Sequence, residues 1–377
     1  MLARVVVALG GLLAVCSPAL AAVPGIHAHR GGTVVNGKPK FGEESDLAYK
    51  GAARHGFVLE VDAKLTKDGV PVAIHDATLD RTTNCTGEVR SYTAHGLRAC
   101  RTDFPAGRPT PIMTIKALLE FAKRTGSRVN LEIKNVPGDP DYDPTPAYAN
   151  KVMDAVLASH IPRGQLIVQS FIAGNLDVAR QRLPGVTTSL LAVQAINEPY
   201  LQAAADNHYD LISPEWPVTA DYVSRAHGMG LDVVPFTLNT VSAVRAARSA
   251  HVDALITDDP LMAARALGLR PVRHFTEFAF IDGARLVATG DVLTPRGVSA
   301  RQGCRGTVTM RVMLEGRPTR SVRGRLNRNC EFRFSTRRTP PRLGAPTVTV
   351  RFDGNAHLLP QLEGPFQADL KPPVFRP

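Results

Sequence analysis

Residues 57–84 read FVLEVDAKLTKDGVPVAIHDATLDRTTN. Phe57, Val58, Leu59 and Val61 form an apolar run of strand character, with Glu60 and Asp62 set into it two residues apart. Positions two apart in a strand point to the same face. Two carboxylates on one face of a buried strand are costly unless a cation neutralises them. Thr66, Lys67, Asp68 and Gly69 make a turn, a reading that needs no chemistry. Val70, Val72 and Ile74 then predict a second short strand that delivers His75 and Asp76 to its far end. One short segment therefore presents a candidate metal pair and an imidazole.

Outward from this stretch, strand and helix patterns alternate from Ile26 to about Leu267. The candidate strands end at His29, Asp62, Ile133, Gln169, Leu190, Ser213, Phe236 and Thr257. Helical periodicity lies between them, as at Ile115–Lys123, Tyr148–Ser159, Val241–Ser249 and Leu261–Leu267. Eight strands with intervening helices predict an α/β fold, a (β/α)8 TIM-type barrel over residues 22–270, rather than a doubly wound sheet. No glycine-rich phosphate fingerprint follows the first strand, which argues against a dinucleotide fold. After Arg270–Arg273 the pattern changes to the alternation of GTVTMRVMLEG, CEFRFST and PTVTVRFDG. Residues 274–377 are therefore expected to form a small, β-sandwich-like, all-β C-terminal domain. The tail from Lys371 to Pro377 carries three prolines and is expected to be a loose end.

The ends and the charge add context. The first 21 residues read as a signal peptide: Arg4, an apolar run from Val5 to Val15, and Ala19-Leu20-Ala21 as the cleavage site. This implies a secreted, extracellular chain. The competing reading is a lipoprotein attached at Cys16 of Leu13-Ala14-Val15-Cys16. No other stretch is long and apolar enough for a transmembrane helix. Beyond the signal, four cysteines remain, an even number in an exported chain, and the local pairings are Cys85–Cys100 and Cys304–Cys330. The absence of a CxxC pair argues against zinc. The net charge of +11 gathers in C-terminal arginines such as Arg311, Arg317, Arg320, Arg323, Arg325 and Arg328. Such a surface attracts anionic partners, a cell surface among them. A genome that favours arginine over lysine is the other explanation. Few aromatics interleave with these arginines, which argues against nucleic acid.

In a barrel of this type the functional groups stand at the C-terminal ends of the strands. Those positions are unusually polar here: His29 and Arg30, Glu60 and Asp62, His75 and Asp76, Glu132 and Lys134. Glu60, Asp62 and Glu132 offer three hard oxygen donors, a set suited to Mg²⁺ or Ca²⁺. Arg30 and Lys134 offer donors to a phosphate, one as a planar fork and one as a point charge. His29 and His75 can then serve as an acid–base pair across a phosphoester. His27, by contrast, reads as a structural histidine.

These residues also carry a resemblance. HRGG at His29, EVD at Glu60–Asp62, LTKDGVPVAIHDATLDRTTNCTG at Leu65–Gly87 and LEIK at Leu131–Lys134 resemble the glycerophosphodiester phosphodiesterase family. Phe236-Thr237-Leu238-Asn239 is similar to its Trp-Thr-Val-Asn, and Thr257-Asp258-Asp259-Pro260 to its closing Thr-Asp-x-Pro. The resemblance implies hydrolysis of glycerophosphodiesters to glycerol 3-phosphate and an alcohol. It makes His29 and His75 catalytic, Arg30 and Lys134 substrate contacts, and Glu60, Asp62 and Glu132 ligands of a divalent metal. The family's Pro-Glu-Asn-Thr motif stands here as Glu43-Glu44-Ser45-Asp46, so Glu44 inherits a substrate-binding carboxylate. Phe236 replaces the family's tryptophan in the wall of the alcohol pocket. Three readings compete with hydrolysis of a small glycerophosphodiester or a teichoic-acid-type polymer. One is phospholipase D-like action on lysophospholipids or sphingolipids. Another is a barrel without activity. The third is a surface-adhesion protein that works through its C-terminal β-domain.

Overall fold

The computed structural model describes residues 23–102, 109–313, 320–336 and 346–369. The proposed signal peptide, Cys16 and the tail from Lys371 lie outside the described residues. Eight parallel strands form the first sheet: β1 (Gly25–Ala28), β2 (Val58–Leu65), β3 (Val129–Ile133), β4 (Leu166–Ser170), β5 (Thr187–Ala192), β6 (Leu211–Pro214), β7 (Asp232–Val233) and β8 (Ala254–Thr257). They are hydrogen-bonded in the order β7-β6-β5-β4-β3-β2-β1-β8. Backbone bonds from Asp253 N to Val233 O (3.0 Å) and from Ile256 N to Pro235 O (2.9 Å) bridge β7 to β8. The result is a TIM-type barrel, nearly closed.

Helices follow the strands: α1 (Asp46–Arg54), α2 (Ile115–Thr125), α3 (Ala147–Ser159), α4 (Ala173–Arg182), α5 (Asn197–Asp206), α6 (Ala220–Gly228), α7 (Val241–Ser249) and α8 (Pro260–Ala266). In α2, Ile115, Leu118, Leu119 and Ala122 fall at helical spacing and are fully buried. The Thr114 hydroxyl caps its first turn by accepting from Ala117 N, and Gly126, at φ 74°, ends it. Helix α8 begins with Pro260 at its first position and Asp259 as its cap. The apolar core lies in the shell between strands and helices. A second cluster, Ile167, Leu211, Val234, Ala254 and Ile256 with Phe236 against it, draws on strands β4, β6 and β8 and on the residue after β7.

Of the eight expected strand ends, Ile133 and Thr257 stand as expected; β2 runs on to Leu65, β4 to Ser170, β5 to Ala192 and β6 to Pro214, and two strands stop short. Strand β1 stops at Ala28, and His29 and Arg30 enter a 3-10 turn in which Arg30 takes φ 49°. Strand β7 stops at Val233 instead of reaching Phe236. Pro235 has no N–H to give a ladder, and pairing resumes only as the single bridge Glu215–Phe236.

Between β2 and α2 the chain makes a long excursion. Its short strand Pro71–Ala73 runs antiparallel to β2, and Ile74 N donates to Asp62 O at 3.1 Å. A small core of Val72, Ile74, Leu79, Val89, Leu97 and Cys100 holds the excursion together, and the Cys85–Cys100 disulfide joins two of its segments.

Beyond the barrel lies a small all-β region. Strands β9 (His274–Asp282), β10 (Arg285–Leu293), β11 (Thr307–Met313), β12 (Arg320–Arg325), β13 (Glu331–Ser335), β14 (Thr347–Phe352) and β15 (Gln361–Gln367) form two antiparallel sheets. Their orders are β9-β10-β13 and β12-β11-β14-β15. The two sheets share one core, with Phe275 and Phe332 stacked at 5.8 Å between ring centroids. The Cys304–Cys330 disulfide is formed, as the local pairing anticipated. This region rests on the barrel: Leu359 and Leu362 belong to the barrel's own core. Arg54 Nη2 meets Glu363 Oε1 at 2.7 Å. At Gly56, where φ is 71°, an added Cβ would stand 2.7 Å from Pro360 Cγ, so glycine permits the close approach.

Candidate active site

Strand alternation puts Glu60 and Asp62 on one face of β2, aimed inward, and Glu132 beside Asp62 in the parallel register of β3. Oxygens of the three carboxylates lie within 4.8 Å of one another, and all three residues are buried. A cavity of about 190 Å³ opens over them. His29, Arg30, Glu60, Asp62, His75, Glu132 and Lys134 all line it, although they come from four separate segments. The opposite wall is apolar: Phe171, Leu191, Phe236 and Ile256. Phe171 and Phe236 meet edge to face at 6.0 Å, and Lys134 Nζ lies 5.6 Å from the Phe171 ring centroid.

The carboxylates are held in place individually. Gln169 Nε2 donates to Glu60 Oε1 at 2.8 Å, and the Arg30 amide donates to Glu60 Oε2 at 2.7 Å. Arg30 Nε stands 3.5 Å from Asp62 Oδ2, while Lys134 Nζ stands 3.0 Å from Glu132 Oε1 and 3.7 Å from Asp62 Oδ1. Asp62 Oδ2 and Glu132 Oε1 are nonetheless buried without an accepted hydrogen bond. Burial, with the Asp62 charge next to it, pushes the Glu60 carboxyl up to about 7. Burial also raises Glu132 to about 8 against the pull of Lys134. Burial works on Asp62 in the same direction, but Lys134, His75 and Arg30 hold it well below the usual carboxylate range. Three hard oxygen donors within 4.8 Å of one another, two of them near the edge of protonation, fit a divalent cation.

The imidazoles are oriented by carboxylates. His29 Nδ1 donates to Asp258 Oδ1 at 2.6 Å, and Asn239 Nδ2 donates to Asp258 Oδ2 at 2.5 Å. Burial lowers the His29 pKa, but Asp258 and Glu60 more than offset it, so the ring sits above its ordinary value. His75 Nδ1 donates to Asp76 Oδ1 at 2.7 Å. Burial dominates there, aided by Lys134 and Arg30, and the His75 pKa lies below its ordinary value.

Glu44 differs from expectation. It is buried and does not line the cavity. Its Oε1 accepts from the Asp62 amide at 3.1 Å, and its Oε2 accepts from the Tyr49 hydroxyl. With both oxygens engaged, it braces Asp62 from behind. Burial and the Asp62 and Glu60 charges raise its pKa well above the ordinary value. His27 is the structural residue expected: 3% exposed, with its Nδ1 accepting from Asn130 Nδ2 at 3.2 Å. Asn130 Nδ2 also donates to Gln169 Oε1 at 2.7 Å, so a buried polar chain runs from His27 to Glu60.

Sequence reasoning gave no role to Asp258, Asn239, Gln169, Asp76, Arg81 or Glu43. The available signal was position. Asp258 and Asn239 stand in the two motifs quoted from the last strand ends, Gln169 is the last residue but one of β4, and Asp76 follows His75.

Residues 29–262 match the model of the Glycerophosphoryl diester phosphodiesterase family. The chain belongs to that family. A glycerophosphodiester phosphodiesterase of Bacillus altitudinis is 29% identical over 242 residues, covering 62% of this chain and 94% of that protein. Another, from Caldanaerobacter subterraneus, is 29% identical over 222 residues, covering 58% and 89%. The solved structure of an Oleispira antarctica phosphodiesterase, in complex with the product sn-glycerol-3-phosphate, shares the fold. Its TM-score is 0.54 at 22% identity, over 65% of this chain and 97% of that one. As a glycerophosphodiester phosphodiesterase, the chain hydrolyses phosphodiesters of small glycerol-containing substrates. The matched residues stop short of β9, so the β region has no counterpart in the match.

Proposed function

We propose that this phosphodiesterase is divalent-cation-dependent, cleaves by a two-histidine acid–base mechanism, and works outside the cell. The observation that carries the reading is the convergence of His29 and His75 on the cavity that also holds Glu60, Asp62 and Glu132. Held by those three carboxylates, Mg²⁺ or Ca²⁺ would neutralise charge building on a non-bridging phosphate oxygen. Arg30 and Lys134 bind and orient the phosphate. His75, the ring with the lowered pKa, starts neutral and takes the proton from the attacking oxygen. His29, held protonated by Asp258, gives a proton to the leaving alcohol. The attacker is water or the glycerol 2-hydroxyl, and both routes use the same two rings. The product reading, sn-glycerol 3-phosphate, follows that of the Oleispira enzyme.

Export is supported by the N-terminal sequence and by two disulfides, which persist in oxidising compartments. From residue 274 onward the chain carries seventeen lysines and arginines against eight acids, which supports contact with an anionic cell surface or a teichoic-acid-type polymer. The test is release of choline from glycerophosphocholine and lysophosphatidylcholine, and of glycerol 3-phosphate from glycerophosphocholine and a poly(glycerol phosphate) polymer, each with Mg²⁺, with Ca²⁺ and with EDTA. The reading expects metal-dependent release from glycerophosphocholine. Turnover of lysophosphatidylcholine alone would favour phospholipase D-like action, and no release from any substrate would favour a binding protein.

A further inference from the structure

Glu43 stands where the motif of the family has proline, and the structure gives it work that proline cannot do. Its Oε2 accepts from Arg30 Nη1 at 2.9 Å. Arg81 donates to both of its oxygens, Nη1 to Oε1 at 2.7 Å and Nη2 to Oε2 at 2.9 Å. The same guanidinium donates to Asp76, Nε to Oδ2 at 2.6 Å and Nη2 to Oδ1 at 2.9 Å. Asp76 in turn holds His75. A continuous run of charge-assisted bonds thus joins His75, Asp76, Arg81, Glu43 and Arg30, and ties the excursion after β2 to the loop after β1.

We propose that Arg81 and Glu43 are positioning residues, a clasp that fixes the His75 ring and the Arg30 guanidinium relative to each other across the mouth of the cavity. The inference rests on the roles given to His75 and Arg30 above. An isolated exposed ion pair contributes little. This one differs in that a planar fork grips two carboxylates at once, and each carboxylate touches a residue of the site. Arg81 also keeps the charges in balance. Without it, Glu43 would face Arg30 alone and Asp76 would face His75 alone. Small displacements of such groups cost rate steeply. Arg81 is 47% exposed and Glu43 26%, so both can be replaced without opening a core cavity.

The test compares Arg81→Gln, Glu43→Gln, the double variant and Arg81→Lys in the full chain. It measures turnover of glycerophosphocholine, the melting temperature, and the ring ¹⁵N signals of His75. The clasp predicts that each single Gln variant lowers kcat/KM at least tenfold at an unchanged melting temperature. The double variant should lie within twofold of the worse single, because one clasp is broken either way. Lysine should not restore the rate, since an ammonium cannot grip both carboxylates. The His75 Nδ1 signal should change in Arg81→Gln. Single variants within twofold of the parent, or effects that multiply in the double, would overturn the proposal. If the parent chain fails to cleave glycerophosphocholine, the functional reading falls. The ring spectrum then decides the clasp, and an unchanged His75 signal in Arg81→Gln overturns it.

Discussion

At the scale of single residues, three histidines show how neighbours divide one chemistry into different tasks. In the proposed mechanism His75 must be neutral to accept a proton, and its pKa lies below 6.5. Rate therefore rises with pH through that lower value. His29 must be protonated to donate, and its pKa lies above 6.5, so rate falls as pH passes that higher value. The expected pH–rate profile is a bell with one limb on each side of the ordinary histidine value, and a profile that lacks either limb would contradict it. Replacing either ring by alanine should lower kcat by roughly 10²–10⁴-fold with the melting temperature unchanged. His27 does a different job. Burial, with Arg128 nearby, lowers it to about 3 from 6.5, so between those values the unfolded chain binds the extra proton. Stability contributed there is complete above 6.5 and declines as pH falls toward 3. His27→Gln should flatten that part of the acid-unfolding curve, by an amount on the order of a few kcal/mol.

At the scale of elements, strand β2 carries most of the argument. Its two-residue alternation made Glu60 and Asp62 legible from sequence, and the parallel register that sets Glu132 beside them follows from the barrel. Lys64, next on the same face, was not legible. It is completely buried and lies 2.5 Å from Asp139 and 2.9 Å from Asp141, carboxylates of the loop after β3 that no periodicity ties to it. Lys64→Met should cost about 3 kcal/mol in denaturant unfolding, because Asp141 would remain buried without its cation. The same limit hid the partner of His29. Asp258 lies 229 residues away in sequence and meets His29 only because β1 and β8 are neighbours in the closing sheet. Strand β7 shows the opposite failure. An apolar run promised a longer strand, and one proline without an N–H ended it.

At the scale of the molecule, the barrel and the β region are joined by more than a linker. Leu359 and Leu362 fill the barrel's core, and Glu363 holds Arg54 on α1. A chain ending at Arg270 should therefore melt at lower temperature and expose apolar surface beside α1, read by calorimetry and by binding of a hydrophobic dye. An unchanged melting temperature would show that the barrel does not need the β region. The two-part composition was visible in sequence as a change of period near Arg270. Their contact was not, since Leu359, Leu362 and Glu363, which make part of it, lie in β15 and just before it, about 300 positions after α1.

The central claim is that Glu60, Asp62 and Glu132 hold one hard divalent cation beneath two imidazoles. The most direct measurement is calorimetric titration of EDTA-treated protein with Ca²⁺ and with Mg²⁺, set beside the Glu132→Gln variant. One cation per chain, bound at least tenfold more weakly by the variant, with phosphodiester hydrolysis lost in EDTA and restored by the cation, is the predicted result. Full hydrolysis in EDTA, or a cation bound equally well by the variant, would contradict it.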